Sequence, residues 1–333
     1  MTSPACSGKR VLAHEIRLTL CQFWPLPVLE LVYFFLFINL SDIITMVRTI
    51  GSPPDETMVG FHMFNQGFTH AIMAGIPLFG FLVALCLFFF LFQPRACDTY
   101  FSLGVRRGTL FRIRYFTGAA FLVVPLLLVC LCTLILQRIQ IPQFYGIFWR
   151  MWIYVTLLLC VGALAVYTLT VLVFTLCGTM LEGALYTLLA AAAPCLVAWA
   201  VGSLLYALLP GSPYNAGSAG FLEPPFGSRV IQDGSPISLL VPSRLFSPAT
   251  FFFHDLFYFQ HVYVENGSED QLRNVSYPSD LNPHWGLLIG WAAFIVGAAL
   301  LAGFLFRRRK AEMAGFAGSS RIFGIGASVL IAL

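Results

Sequence analysis

The 333-residue sequence contains little charge. Lys, Arg, Asp and Glu make up 10% of the residues and hydrophobic residues 59%, whereas soluble domains are about 25% charged and about 45–50% apolar. A water-exposed surface of this size requires many more ionic groups. The composition therefore excludes a cytosolic enzyme, a disordered regulator and a disulfide-stapled secreted domain. It leaves a helical membrane protein, because the strands of a transmembrane barrel contain no long apolar runs.

The sequence also lacks the motifs that common catalytic and metal sites require. It contains no G-x-x-x-x-G-K-[ST] phosphate loop, no G-x-S-x-G elbow and no aspartate-rich pair for magnesium and diphosphate. The nine cysteines show no zinc spacing, and none lies in the long polar segment 210–284. His254 and His261 are seven residues apart, whereas zinc-binding helices use a spacing of four. We therefore predict no metal or nucleotide on this chain, and cysteines that pack as small apolar residues.

The sequence does contain six long apolar runs. A helix needs about 20 mostly apolar residues to cross roughly 30 Å of hydrocarbon. Runs of this length lie at 25–47, 67–92, 116–136, 148–176, 184–209 and 285–306. A seventh apolar segment begins near Ile322, and we interpret it as the start of a further span in a fragment rather than as an interfacial tail. The sequence thus predicts an all-α polytopic membrane protein with six transmembrane helices.

The distribution of basic residues predicts the orientation of these spans. With the N-terminus inside, thirteen of the nineteen Lys and Arg residues fall in inner segments, including the tail 307–333. The outer loop 210–284, about 75 residues long, carries seven acids and three arginines. We therefore expect both termini on the inner side. Residues 1–24 read as an amphipathic helix, which is either a simple anchor on the inner membrane face or an elbow that docks beside a partner.

The inner segment 93–115, between the second and third spans, has an unusual composition. Its five arginines alternate with aromatic and leucine residues. Positive-inside bias and attraction to anionic lipid explain the arginines. They do not explain the apolar positions, which a solvated loop does not need. We therefore predict a short helix across the membrane face, with an apolar edge offered to a partner protein.

Residues 102–111 read S-L-G-V-R-R-G-T-L-F. This pattern resembles the S-L-P-x-x-R-x-x-L-F segment that follows the second span in permease subunits of bacterial ABC transporters of the exporter type, in a Firmicutes-like group. Arg107 takes the arginine position, and Gly104 stands where the family has proline. The Phe-Trp before Pro25, the glycine-containing turn 178–183 and an R-x-x-x-x-E-x-A-G pattern at 307–315 are also similar to that family.

The resemblance implies a permease half that works as a homo- or heterodimer with a separate ATPase. The segment 93–115 would be the coupling helix, which sits in a groove of the ATPase and transmits its dimerisation to the spans. ATP and Mg would be held by that partner, so this chain would carry no cofactor and no catalytic residue. It would lie in the bacterial plasma membrane, in contact with lipid and not with nucleic acid. The scarcity of charge in the spans argues against a hydrophilic ion path and favours an amphiphilic substrate, a peptide or a mechanical role. The residues that the resemblance assigns to the ATPase contact are Tyr100, Phe101, Ser102, Leu103, Arg106, Arg107, Leu110 and Phe111.

Two other functions fit the composition. A membrane enzyme that acts on lipid requires Glu30, Asp42 and His70 to converge. Glu30 and Asp42, however, are about 18 Å apart and about 120° around one helix, so they do not form a site by themselves. A non-catalytic sensor or assembly protein would use the 210–284 loop to bind a ligand. We favour the permease over both.

Overall fold

A computed structural model describes residues 8–39, 66–102, 106–140, 146–191, 193, 285–309 and 314–316. Nearly all of these residues are helical, and no strand occurs among them. The predicted outer loop, Asp42, the side chain of His70 and the apolar segment from Ile322 lie outside the described part of the chain.

The chain begins with two helices that meet at an angle. α1 covers Gly8–Phe23, and α2 covers Pro25–Phe34 and continues into a π-helical turn at Phe35–Asn39. Pro25 starts α2, where its missing N–H costs no hydrogen bond, and its ring prevents α1 from continuing. The two arms are bent by 51°. The predicted N-terminal amphipathic helix and the start of the first apolar run are therefore the two arms of one bent element.

α3 and α4 follow each other closely. α3 covers Gln66–Phe88 and tightens into a 3₁₀ turn at Phe89–Phe92, and α4 covers Pro94–Ser102. The N–H of Cys97 donates to the backbone oxygen of Gln93 at 2.9 Å, so α4 begins directly after the turn. α4 lies in the segment 93–115, where the sequence predicts a short helix.

α5 covers Arg107–Gln140 and therefore starts before residue 116, where the third apolar run begins. The early arginines lower the apolar content of its first turns, but arginine is a good helix former. The helix thus begins several residues before the apolar run. Pro125 lies inside α5, as membrane helices tolerate when their neighbours satisfy the freed backbone groups.

The remaining described helices correspond to the last three apolar runs. α6 covers Gly146–Leu176, α7 covers Met180–Ala191 and α8 covers Trp285–Arg308. α7 contains the first part of the predicted run 184–209, and the rest of that run lies outside the described residues.

Four stretches of the described helices are long and apolar enough to cross a membrane. They are Gly75–Phe92, Arg107–Ile135, Ile153–Leu176 and Leu288–Arg308. The bent pair of α1 and α2 makes a fifth if it counts as one span. The described chain is therefore helical, with four or five helices whose length and composition suit a membrane.

α6 is the central helix of the described part. It packs against α3, α5 and α8. Within the apolar stretch of α6, 72% of the residues are buried, against 22% for that of α8. Within the described part of the chain, α6 therefore forms the core, and α8 lies at the edge with most of its surface exposed.

α5 approaches α6 closely at Gly118. A Cβ atom there would lie 2.6 Å from Cδ1 of Leu87 and would also meet the hydroxyl of Tyr167. That hydroxyl donates to the backbone oxygen of Tyr115 at 3.1 Å, and the Tyr115 hydroxyl shares a 2.7 Å hydrogen bond with Thr168. Membrane helices associate through close packing at small residues and through interhelical hydrogen bonds. Both are present at this crossing.

Candidate functional site

Eight arginines gather at one end of the helices, which we call the arginine end. α6 and α8 finish there, as does the 3₁₀ turn after α3, and α5 starts there. The eight are Arg95, Arg106, Arg107, Arg112, Arg114, Arg307, Arg308 and Arg309. All of them belong to the set that the sequence analysis assigns to the inner side. The helix C-termini at this end carry partial negative charge, which favours cations.

Arg309 occupies the centre of the arginine end and is 3% exposed. Its guanidinium donates to the backbone oxygens of Phe174 at 2.6 Å, Leu91 at 2.9 Å and Cys177 at 2.8 Å. These oxygens lie at the ends of α6 and of the 3₁₀ turn after α3, where carbonyls lack a partner within the helix. Arg309 directly follows α8, so it caps two other helices and ties three helix ends together.

The surroundings of Arg309 affect its charge. Burial lowers the pKa of the guanidinium, and the carboxylate of Glu182 raises it. Burial also raises the pKa of the Cys177 thiol to about 12, so that thiol is neutral at pH 7. Glu182 is 9% exposed and accepts a hydrogen bond from the N–H of Gly178 at 3.3 Å. Glu182 is therefore an acid that favours the charged form of Arg309.

The residues after α8 bind other helices as well. Nη1 of Arg107, in the first turn of α5, donates to the backbone oxygen of Arg309 at 2.8 Å. The N–H of Gly315 donates to the backbone oxygen of Gly178 at 2.8 Å. Gly315 has a φ of 84°, and a Cβ atom there would lie 3.3 Å from Pro94, so glycine suits both the conformation and the close approach. The turn 178–183 and the segment 307–315 are thus in contact. Both are among the segments that resemble the ABC permease family.

Arg114 is a second buried arginine, and it joins α4 to the other helices. It is 5% exposed, and its Nη1 donates to the backbone oxygen of Leu87 at 2.6 Å. Its guanidinium lies 4.4 Å from the ring centres of both Phe90 and Tyr100. A desolvated cation–π contact is worth about 2 kcal/mol. Arg114 of α5 therefore holds the end of α3 and the end of α4 together.

One face of α4 packs on the bundle. The ring of Tyr100 lies 4.8 Å from that of Phe90, and the ring of Phe101 lies 5.9 Å from that of Phe306 in α8. The guanidinium of Arg107 stands 4.2 Å over Phe101. α4 is therefore attached to the end of α3, to the start of α5 and to the end of α8.

The opposite face of α4 is exposed and polar, and we call it the outer face of α4. Thr99 and Ser102 bond only locally there, to the backbone oxygens of Arg95 at 2.8 Å and of Thr99 at 2.9 Å. Arg106, just before α5, is exposed as well. The outer face comprises Arg95, Asp98, Thr99 and Ser102, and we group with it Arg106, the exposed residue that precedes α5.

The eight residues that the resemblance assigns to the ATPase contact differ in how far they are exposed. Leu110 and Phe111 are 2% and 4% exposed, and the ring of Phe111 lies 5.4 Å from that of Phe306. Packing within this chain therefore explains their apolar character. Tyr100, Phe101 and Arg107 are half-buried, Ser102 and Arg106 are exposed, and Leu103 lies outside the described residues.

The sequence pattern does not distinguish Arg309, Arg114 or Glu182 from their neighbours. Arg309 is one member of a basic run, and its spacing does not distinguish it from Arg308, which is exposed. Arg114 likewise cannot be told from Arg112, which is exposed. The sequence signal in the segment 93–115 is the alternation of arginine with apolar residues, and it does not indicate which arginine is buried.

Glu30 of α2 is a buried acid. It is 1% exposed, and within the described chain its Oε2 has no hydrogen-bond partner. Because Asp42 and the side chain of His70 are outside the described part, the convergence that a lipid-modifying enzyme requires stays a prediction.

Replacing Glu30 with methionine is expected to stabilise the protein by about 1–2 kcal/mol, because it removes a buried polar atom that lacks a partner. Thermal unfolding of the purified chain in detergent measures the increase in stability. Glu30→Gln keeps two polar atoms in the same place and should gain little. A lower melting temperature for Glu30→Met would show that the carboxyl group contributes a favourable interaction.

Among the residues that the structure describes, no three His, Cys, Asp or Glu side chains are grouped to hold a metal ion. Comparison of the chain with protein families, curated proteins and solved structures finds no match. The geometry of the arginine end and the sequence resemblance are therefore the basis for a functional proposal.

Proposed function

We propose that this chain is the membrane-spanning permease subunit of an ABC transporter of the exporter type, and that the outer face of α4 contacts a separate ATPase. The observation that carries the proposal is the attachment of α4. This short helix presents exposed polar side chains on one face and is joined on the other to three longer helices through Tyr100, Phe101 and Arg114. A helix held in this way passes a displacement on to all three.

The contacts behind α4 suit this mechanical role. Aromatic rings from α3, α4, α5 and α8 meet around Phe306, which is fully buried. Close-packed interiors resist compression and transmit displacement. Arg309 joins the ends of α3 and α6 to the end of α8, so movement of α8 reaches the central helix as well. A partner that moves α4 thereby changes the relative positions of the membrane helices.

The proposal has further parts that come from the sequence. The chain crosses the bacterial plasma membrane six times with both termini inside, and the arginine end faces the cytoplasm. It pairs with a second permease copy or a paralogue, and ATP and Mg²⁺ are bound by the ATPase. The small number of charges in the helices suits an amphiphilic substrate better than an ion. The collection of eight arginines at one end of the bundle supports the orientation.

Photo-crosslinking tests the contact directly. A photoreactive phenylalanine analogue at Thr99 or Ser102, in the full chain in its native membranes, is expected to trap an ATP-binding cassette protein, identified by mass spectrometry. The same analogue at Ile289, which is exposed at the end of α8 away from the arginine end, is the control and should not trap it. If the inserted chain traps no such protein from either α4 position, the proposed contact is wrong.

Reversing the charges of the outer face provides a second measure of the same contact. The double change Asp98→Lys and Arg106→Glu is expected to reduce the co-purified ATPase by about tenfold or more, because interfacial charges select partners. Arg107→Glu and Phe111→Ala are less informative, because both residues make internal contacts whose loss disturbs the fold.

A further inference from the structure

Two guanidinium groups from different helices meet at Gly108, in the first turn of α5. Nε of Arg112 donates to the backbone oxygen of Gly108 at 3.3 Å. Arg307 of α8 lies against the same residue, since a Cβ atom on Gly108 would be 2.5 Å from its Nε. Glycine is therefore required for Arg307 to lie there. α5 and α8 are also in contact one turn away, where a Cβ atom on Gly303 would lie 3.1 Å from the ring of Phe111.

This pair of positive charges has no acid beside it within the described chain. Both side chains are exposed. Of the acids whose side chains are described, Glu30 lies buried in α2, Glu182 accepts from Gly178 and Asp98 lies on α4. Like charges repel each other, and an anion bound by both guanidinium groups relieves the repulsion. Guanidinium groups bind phosphate through paired hydrogen bonds, which makes arginine well suited to that anion.

The surface next to the pair is apolar and open. Phe116 lies one turn beyond Arg112 on α5 and is 66% exposed. Phe304 lies one turn before Arg307 on α8 and is 49% exposed, with the guanidinium of Arg308 4.3 Å over one face of its ring. Leu300, one turn further, is 71% exposed. The two helices run in opposite directions here, so these side chains extend from the arginine pair along the apolar stretches of both helices. A charged end followed by an exposed apolar strip matches the shape and chemistry of a phospholipid.

We propose that Arg112 and Arg307 bind the phosphate of a membrane phospholipid with an anionic headgroup, and that its acyl chains lie along Phe116, Phe304 and Leu300. We call this the Gly108 lipid site. It differs from non-specific attraction of basic residues to a membrane surface, because it depends on the placement of two guanidinium groups by one glycine. It does not depend on the ATPase contact of α4.

Native mass spectrometry of the full chain in detergent, with added phosphatidylglycerol or phosphatidylcholine, tests the site. The wild-type chain is expected to bind phosphatidylglycerol more tightly than phosphatidylcholine. Arg112→Gln and Arg307→Gln should each weaken that binding about fivefold, and the double variant should lose the preference. The matched control is Arg17→Gln with Arg95→Gln, which removes two exposed arginines elsewhere and should keep it.

Gly108→Ala separates placement from charge. It retains both arginines but displaces the end of the Arg307 side chain, so it should weaken phosphatidylglycerol binding less than Arg307→Gln does, with little change in melting temperature. Equal binding of the two lipids by the wild-type chain, or a preference retained by the double variant, overturns the proposal. Displacement of the lipid by an equal concentration of inorganic phosphate also overturns it, in favour of a site for soluble anions.

Discussion

Replacing Arg309 with alanine is expected to lower the free energy of unfolding by about 3–5 kcal/mol. The side chain is 3% exposed and donates to the backbone oxygens of three residues at the ends of two other helices. Without it, these oxygens stay buried without a donor, and each such group costs about 1–3 kcal/mol unless water reaches it. Thermal unfolding in detergent and titration with a denaturing detergent both measure the loss.

Two further variants separate capping from charge. Arg309→Lys should recover little of the stability, because a compact ammonium group does not reproduce the planar fork that reaches three oxygens. Arg308→Ala is the matched control, since Arg308 is exposed and its guanidinium only lies 4.3 Å over the ring of Phe304. It should cost about 1 kcal/mol or less. Similar losses for Arg308→Ala and Arg309→Ala would contradict the capping role of Arg309.

Replacing Gly118 with valine is expected to destabilise the protein by about 3 kcal/mol or more, because overpacking a dense helix contact displaces its neighbours. A Cβ atom at this position already meets Leu87 and the hydroxyl of Tyr167. Moving the Tyr167 ring also breaks its hydrogen bond to Tyr115. Gly118→Ala should show the same effect at about 1–3 kcal/mol. The free energy of unfolding in detergent is again the measurement.

Gly297 provides the control for Gly118. Nothing lies within 4 Å of a Cβ atom on Gly297, so Gly297→Ala should be neutral or should stabilise α8 through the higher helix propensity of alanine. Adding Tyr167→Phe to Gly118→Ala should restore only part of the stability, since Cζ of the ring would still be 2.7 Å from the new Cβ atom. Equal effects of Gly118→Ala and Gly297→Ala would show that α5 and α6 do not approach closely at Gly118.

The positions of the long helices were predictable because they depend on local properties. A long apolar run has to satisfy its backbone hydrogen bonds within itself in a membrane, and a helix does so. The bounds of α6 and α8 accordingly lie close to the runs 148–176 and 285–306. The start of α5 at Arg107 was not predictable from hydropathy, since a helix ends where its backbone bonding ends and not where its apolar residues do.

The role of each apolar residue in the segment 93–115 was not predictable, because one pattern suits two environments. Leucine and aromatic residues between arginines fit an edge offered to a partner and equally fit a contact within the chain. Leu110 and Phe111 take the second role, because α8 lies beside the start of α5 and Phe306 fills the space against them. Which surface a helix presents to its neighbours depends on those neighbours, and they come from distant parts of the sequence.

The sequence by itself determined that charge is scarce and that the long apolar runs form helices, and it predicts that thirteen of the nineteen Lys and Arg residues lie on one side. The tertiary structure alone decided what each arginine does. Arg308 and Arg309 are adjacent and chemically identical, yet one is exposed and the other caps two helices. The physical reason is that open carbonyl groups at the ends of α6 and of the turn after α3 converge at the residue that follows α8. Only the packing of the three helices brings those groups within reach of one guanidinium.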